Sequence, residues 1–395
     1  MKILFVLPRF PYPLTKGDRL RAYHQLRLLS QSNQVYLFAV VHQKVEADAI
    51  DKVAPYCQDI HIERINPLTC RFNIVRNWFA SKSLQMGFWN TKRAKRSLKA
   101  YARRVNPDVV FNQMVRTMPL VARLPYPKVM DFQDALSMNT ERRMEQAKGF
   151  WHYVLHFEFK MLRSSEYNAF KIFDALTIIS EADSDAIPHK RNGDIKIVPN
   201  GVDFDYFDRN NKEIAEMAPA DILFCGNMSY DPNVRAANYL VRRVMPIVWQ
   251  QRPQTTLTLA GESPKRSVQH LGTDSRVNVT GHLDDIRTAY SSSRLFVAPM
   301  LTGSGLQNKL LEAMAMQLPC VTTTLANNAL MAADGREIVV ADTPQAMAQA
   351  ILGMLDNPDK AAALASAGNA FVRDNYSWEA AVDKLQQVLH NVAGK

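Results

Sequence analysis

The chain of 395 residues is 47% hydrophobic and 22% charged, which excludes collagen-like, low-complexity and largely disordered proteins and leaves material for two cores. No run approaches the roughly 18 consecutive apolar residues of a membrane-spanning helix. Lys and Arg number 48 against 38 Asp and Glu, and the surplus is one-sided: residues 1–200 hold 31 basic and 18 acidic side chains, residues 201–395 hold 17 and 20. The first half should therefore attract anions.

Ile3-Leu4-Phe5-Val6-Leu7 is too short for a signal peptide core and reads as a buried first strand, so a cytoplasmic protein is expected. Further strands are predicted at Gln34–Val41, Ile60–Ile65, Val109–Asn112, Lys128–Phe132, Ala175–Ile179 and Ile195–Val198. Helical spacing of apolar residues marks Arg19–Ser30, Glu46–Ala54, the basic Leu98–Val105, and a long stretch Met144–Phe173 that holds one or two helices. After a polar stretch at Asp205–Ala218 the alternation restarts. Strands are expected at Ile222–Cys225, Thr256–Ala260, Val277–Val279, Leu295–Ala298, Cys320–Thr323 and Ile338–Val340. Helices are expected at Val234–Gln251, Ile286–Ser293, Lys309–Met316, Pro344–Asp356 and Pro358–Asp374, and a last one, Trp378–Val392, follows a break at Asn375-Tyr376-Ser377. Strands alternating with helices mean parallel sheets covered on both faces, here twice over: an α/β chain of two Rossmann-like, doubly wound domains. The domains are placed at 1–200, joined by the final helix from 378, and at 201–377. Ligands of such sheets bind beyond the carboxyl ends of the strands.

Cys57, Cys70, Cys225 and Cys320 lie far apart with no CxxC pair and read as buried small hydrophobes, with no disulfide framework or metal site expected. His152 and His156 stand one helical turn apart among Trp151, Tyr153 and Phe157; with no third ligand near, a packed aromatic face is the better reading than zinc.

The most informative segment runs from Leu301 to Ala315. Gly303 and Gly305 permit close backbone approach between a strand and a helix, and free N–H groups at that helix start suit a phosphate. Lys309 adds a positive charge, and Glu312, a turn further on, can accept hydrogen bonds from vicinal hydroxyls. The order is not that of a Walker A loop. A helix-capping loop with a surface Lys309–Glu312 pair is the plainer alternative.

Here the chain resembles the retaining, nucleotide-sugar-dependent glycosyltransferases of family 4, which have the GT-B fold. The likeness is carried by Val198-Pro199-Asn200-Gly201-Val202-Asp203 with Tyr206-Phe207, Phe224-Cys225-Gly226-Asn227-Met228, Leu259-Ala260-Gly261-Glu262, Val279-Thr280-Gly281-His282, the Gly303–Ala315 segment and the Tyr376-Ser377-Trp378 break. The turn Met228–Asn233 is similar to that of a subgroup found with exosortase-type (PEP-CTERM) export systems. The resemblance implies two domains facing a cleft, with the last helix returning to the first domain. It implies a ribose contact at Glu312, diphosphate contacts at Lys309 and around Ser304-Gly305-Leu306, and base contacts at Gly281 and His282. Gly226 and Asn227 would lie on the donor side, and no metal or other cofactor is implied. Three positions depart from the pattern: its first acid would fall at Ser304, and Asn227 and Asn233 stand where Arg and Lys are commoner.

In the first half, the Pro-rich loop Pro8–Arg19 resembles the family's glycine-containing loop near the donor phosphates, making Gly17, Lys16 and Arg19 anion-contact candidates. After the strand ending near Phe132, Asp131 and Asp134 are the available acids where many relatives have His at the position of Gln133. Asp134 could help activate an acceptor hydroxyl, or Asp134 or Ser137 could cap the next helix. Retaining transfer needs no strong base, since the leaving diphosphate can take the acceptor proton.

Between Glu63 and Asp108 there is no acidic residue, while eleven basic ones run from Arg64 to Arg104, with Phe72, Trp78, Phe79, Phe88 and Trp89 among them. An anionic membrane surface or a diphosphate-linked acceptor fits this stretch better than nucleic acid, for which no module is present; a solvated helix face is the plain alternative. The expected protein is thus a glycosyltransferase moving sugar from a nucleoside-diphosphate donor to an envelope saccharide or lipid-linked acceptor, cytoplasmic or peripheral at the inner membrane face. A 2-epimerase-like GT-B enzyme and a non-catalytic nucleotide-sugar-binding scaffold are the alternatives.

Overall fold

The computed structural model describes Met1–Gly394 apart from Thr15, Ser81, Gly303 and Ser304, with only the backbone of Gln146. The chain divides into two compact units, Met1–Pro199 with Glu379–Lys395, and Asn200–Trp378.

The first unit holds β1 (Lys2–Leu7), β2 (Gln34–Val41), β3 (Asp59–Arg64), β4 (Val109–Gln113), β5 (Lys128–Asp131), β6 (Ala175–Ile178) and β7 (Lys196–Ile197), in the spatial order β3-β2-β1-β4-β5-β6-β7. All described pairings are parallel. Successive strand residues point to opposite faces, so β1 and β2 are apolar throughout because both faces are covered. Leu4, Val6, Phe38 and Val40 enter one core; Ile3, Phe5, Leu7, Leu37 and Ala39 enter the other. The helix Lys92–Val105 buries Leu98, Tyr101, Ala102 and Val105 in the first of these cores. It starts where the Thr91 side chain accepts from Ala94 N and stops at Asn106, whose left-handed backbone lets its N–H reach Ala102 O. The final helix, Trp378–Ala393, places Ala381, Val382, Leu385 and Leu389 in the second core.

The second unit holds β8 (Ala220–Cys225), β9 (Leu257–Ala260), β10 (Val277–Gly281), β11 (Ser293–Ala298), β12 (Cys320–Thr322) and β13 (Val339–Val340), ordered β10-β9-β8-β11-β12-β13. These strands too are parallel. Order reverses about β1 and about β8, as in doubly wound sheets.

The predicted strands are all present to within two residues at either end. The long stretch Met144–Phe173 holds one full helix, Phe150–Ile172, preceded by the end of another, Leu136–Gln146, that starts before it. The expected helix to Gln251 begins at Asp231 and carries a π turn at Leu240–Val244, just before Pro246, whose missing N–H breaks the regular ladder. Two helices, Pro67–Phe79 and Leu84–Trp89, occupy a stretch read from its charge and aromatic residues with no element predicted. Cys70, Cys225 and Cys320 are buried and Cys57 partly so.

Candidate active site

In the second unit, the carboxyl ends of β8, β9 and β10 are each followed or closed by a glycine with positive φ: Gly226 at 151°, Gly261 at 137° and Gly281 at 70°. A Cβ on Gly261 would stand 1.9 Å from the Gly226 carbonyl oxygen, and one on Gly226 would stand 2.7 Å from Asn233 Nδ2 and 3.1 Å from Lys309 Nζ. Side chains are excluded here because backbone and polar groups already meet.

Lys309 lies in the first turn of the helix Asn308–Ala315, which follows β11. Its Nζ donates to Asn233 Oδ1 at 2.5 Å and sits 4.8 Å from the centre of the Phe224 ring. Asn233 Nδ2 in turn donates to Asn227 O at 3.0 Å. Burial brings the Lys309 ammonium down to about 8, against a smaller opposing pull from Cys225 and Glu312. One turn further, Glu312 accepts from Tyr290 Oη at 2.8 Å, and Tyr290 Oη also lies 2.9 Å from Cys225 Sγ. Burial raises the Glu312 carboxyl, while the Tyr290 hydrogen bond and Lys309 pull it back. The plainer reading of Lys309 and Glu312 as a surface pair is overturned: each is held by its own buried partner.

Asn227 is occupied. Its Nδ2 donates to Glu262 Oε1 at 2.6 Å and its Oδ1 accepts from Ser229 N and Oγ, so its side chain shapes the turn after β8. Gly281 closes β10 and is tied to β9 by the Gly261 N–H, which reaches Gly281 O at 3.2 Å. His282 is exposed, 3.7 Å from an Asp284 oxygen. The helix after Gln307 has no side-chain cap, and Gln307 Nε2 donates to Gly305 O at 3.3 Å. Leu306 is half-buried beside it. Gly303 and Ser304 lie outside the described residues.

The first unit carries the other candidates. Gly17 opens the helix Gly17–Leu29 and is exposed, as is Lys16. Arg19 is half-buried; its Nε is buried without a hydrogen-bond partner among the described residues, and burial lowers its pKa. It borders a cavity of 290 Å³ with Arg9, Tyr12 and His42 at the carboxyl ends of β1 and β2.

Asp131 is not an available acid: fully buried, it receives Arg21 Nε at 2.6 Å and Nη2 at 3.1 Å. Removing either partner of such a pair costs about 3–5 kcal/mol, so its role is to hold the end of β5. Asp134 does not cap the next helix, whose N-cap is Ala135, and the Ser137 N–H goes to Glu166 Oε1 at 2.9 Å. Asp134 Oδ2 accepts from Asn139 Nδ2 at 2.8 Å while Oδ1 is buried with no partner among the described residues. Burial, helped by Asp183, raises its pKa to about 6 against the opposing pull of Arg116.

Sequence reasoning missed Tyr290 and Arg116, and noted Asn233 only as a departure. Tyr290 lies in the five-residue helix Arg287–Ser291, and nothing local shows that its hydroxyl reaches Glu312. The expected packed aromatic face about His152 is also corrected, since Trp151 and Tyr153 are exposed. Phe88 and Trp89, assigned to the basic surface, instead pack edge-on with His42, and Trp89 is buried.

Two parallel, doubly wound units, one with a lysine and a carboxylate converging beyond its strand ends, define a protein of the GT-B class. Residues 219–357 match the family described as "Glycosyl transferases group 1". The chain is 22% identical over 396 residues, 95% of its length and 96% of the relative's, to an "Uncharacterized 44.6 kDa protein in cps region" of Klebsiella pneumoniae. Over 162 residues, 38% of this chain and 42% of the relative, it is 28% identical to the GDP-mannose-dependent monoacylated alpha-(1-6)-phosphatidylinositol monomannoside mannosyltransferase of Corynebacterium glutamicum. The structure of HepE from Anabaena, in complex with UDP and glucose, matches with a TM-score of 0.69 at 15% identity, over 98% of this chain and 99% of that one. The chain has the GT-B fold, and within its second unit residues 219–357 are those that match the group 1 glycosyl transferases. No helix among the described residues is long and apolar enough to cross a membrane.

Proposed function

We propose that this enzyme moves a sugar from a nucleoside-diphosphate donor, with retention at the anomeric carbon, to an envelope saccharide or lipid-linked acceptor. The observation that carries the reading is the Lys309–Asn233 pair, set against the bare Gly226 backbone with Glu312 one turn away. Lys309 faces the diphosphate and Glu312 accepts the ribose hydroxyls. The backbone at Gly281 and His282 meets the base, and the amides from Gly305 and Leu306 add to the phosphate site. As the bond from C1 to the diphosphate oxygen breaks, the acceptor oxygen bonds to C1 on the same face. The acceptor proton passes to the leaving diphosphate, whose charge Lys309 stabilises; these groups do the work without a resident metal. The first unit binds the acceptor, with Asp134 orienting its hydroxyl and Arg19, beside Gly17, meeting an anionic group.

HepE, bound to UDP and glucose, and the Corynebacterium relative, which depends on GDP-mannose and modifies a phosphatidylinositol mannoside, support the donor and acceptor classes. The test is a thermal-shift screen of UDP, GDP and their sugars, followed by turnover and product analysis. A donor that raises Tm and yields a glycoside, lost in Glu312→Ala, supports transfer. Release of a 2-epimer, or binding without turnover, overturns it.

A further inference from the structure

The helix Pro67–Phe79 is amphipathic the wrong way round for a protein surface. Asn73 and Asn77 face inward: Asn77 Nδ2 donates to Ser83 O at 2.8 Å, and a Cβ on Gly87 would stand 2.7 Å from the same nitrogen. Leu68, Phe72, Val75 and Phe79, spaced four, three and four residues apart, form one face. That face is open, Phe72 being 68% and Phe79 83% exposed. Beside it, Trp78 packs on Phe157 of the helix Phe150–Ile172 with ring centres 4.7 Å apart. The first turn of that second helix presents Phe150, Trp151 and Tyr153, the last 72% exposed.

Geometry fixes the two helices together. Buried Glu158, on the second, accepts from Ser83 Oγ and Leu84 N, each at 2.7 Å, and from Gln85 N at 3.2 Å, all just beyond the first helix. The apolar stripe is thus built into the unit and is not a frayed end. Along the chain the charge here is of one sign, although Arg93 is paired with Glu63 and Arg104 with Asp59. From Arg64 to Arg104 no acid occurs, and Lys95 lies in the field of Arg123, Lys82 and Arg76.

We infer that the Leu68–Phe79 stripe and the aromatic turn at Phe150–Tyr153 dock on an anionic lipid surface, the side chains entering the headgroup–acyl boundary while the surrounding cations meet lipid phosphates. A second copy is the poorer occupant, because pairing this face with itself would bring like charges together. The inference concerns only the first unit and needs no donor, so it stands or falls apart from the transfer reading.

The experiment is flotation of the full chain with vesicles of phosphatidylcholine alone or mixed with about 30% phosphatidylglycerol. Wild type should partition at least about tenfold more strongly onto the anionic vesicles, with a blue shift of tryptophan emission. Phe72→Ser with Phe79→Ser, and separately Trp151→Ser, should each lower partitioning several-fold with Tm unchanged, since these side chains are exposed. Arg76→Glu with Lys82→Glu should abolish the preference for anionic lipid. No binding by wild type, or binding that the serine variants leave unchanged, overturns the inference. So does a wild-type dimer that the serine variants dissociate in the absence of vesicle binding.

Discussion

Lys309 Nζ and Asn233 Oδ1 are 2.5 Å apart, which joins the helix after β11 to the helix after β8 through a single hydrogen bond. The bond holds an ammonium beside the Gly226 backbone, where burial makes its charge costly and therefore responsive to an anion.

Lys309→Met should weaken UDP binding by about 10–100-fold, the loss of one charge-assisted contact to phosphate. Asn233→Ala should weaken it less, about three- to tenfold, by leaving the ammonium without its positioning partner. Isothermal titration with UDP checks both; equal, negligible losses would remove Lys309 from the phosphate site.

The ammonium, brought down to about 8, gives donor binding an alkaline limb. Binding requires the protonated form, so affinity should fall as pH rises through about 8, and Lys309→Met should flatten that limb. Stability runs the opposite way. The folded state loses the proton before the unfolded chain does, so the penalty is fully present below about 8 and is relieved as pH rises toward the ordinary lysine value. Titration of UDP affinity and of Tm across pH 7–10 separates the two trends.

Tyr290 acts through Glu312 and touches no substrate in the proposed arrangement. Removing its hydroxyl takes away the hydrogen bond that opposes burial, so Tyr290→Phe should raise the Glu312 carboxyl further and move the acid limb of donor binding to higher pH. KM for the donor should rise several-fold, with kcat much less affected. Glu312→Gln should abolish that acid limb and raise KM by at least about tenfold. An unshifted acid limb in Tyr290→Phe would show that the tyrosine is only a packing residue.

Asp134, raised to about 6, is stabilised in its protonated form by the fold, so its contribution penalises stability above that pH and vanishes below the ordinary carboxyl value. Asp134→Asn should therefore leave Tm at pH 7.5 unchanged or higher while lowering kcat at least about tenfold. A fall in Tm with kcat preserved would make Asp134 a structural group.

Much of this molecule is legible along the chain because its signals are local. Short apolar runs and helical spacing reveal both sheets, the glycine-bearing loop singles out Lys309 and Glu312, and the family resemblance marks Gly226 and Gly281, all before any contact is known. Pro67–Phe79 escaped notice because most of its apolar residues face outward and two of its three buried side chains are asparagines, so its pattern does not look like a core helix. Asp131 and Asp134 show the same boundary. Three residues apart, both looked like acids at a strand end, and only Arg21, 110 positions from Asp131, tells them apart.

The order of residues alone determined the doubly wound architecture, the concentration of positive charge in the first half and the presence of a lysine and a carboxylate one turn apart. These depend on backbone geometry and on side-chain polarity within a few neighbouring positions. Tertiary structure decided which groups are spoken for and which are poised: Tyr290 on Glu312, Asn233 on Lys309, Arg21 on Asp131. Hydrogen bonds and desolvation act between atoms close in space, and chain separation carries no record of that closeness.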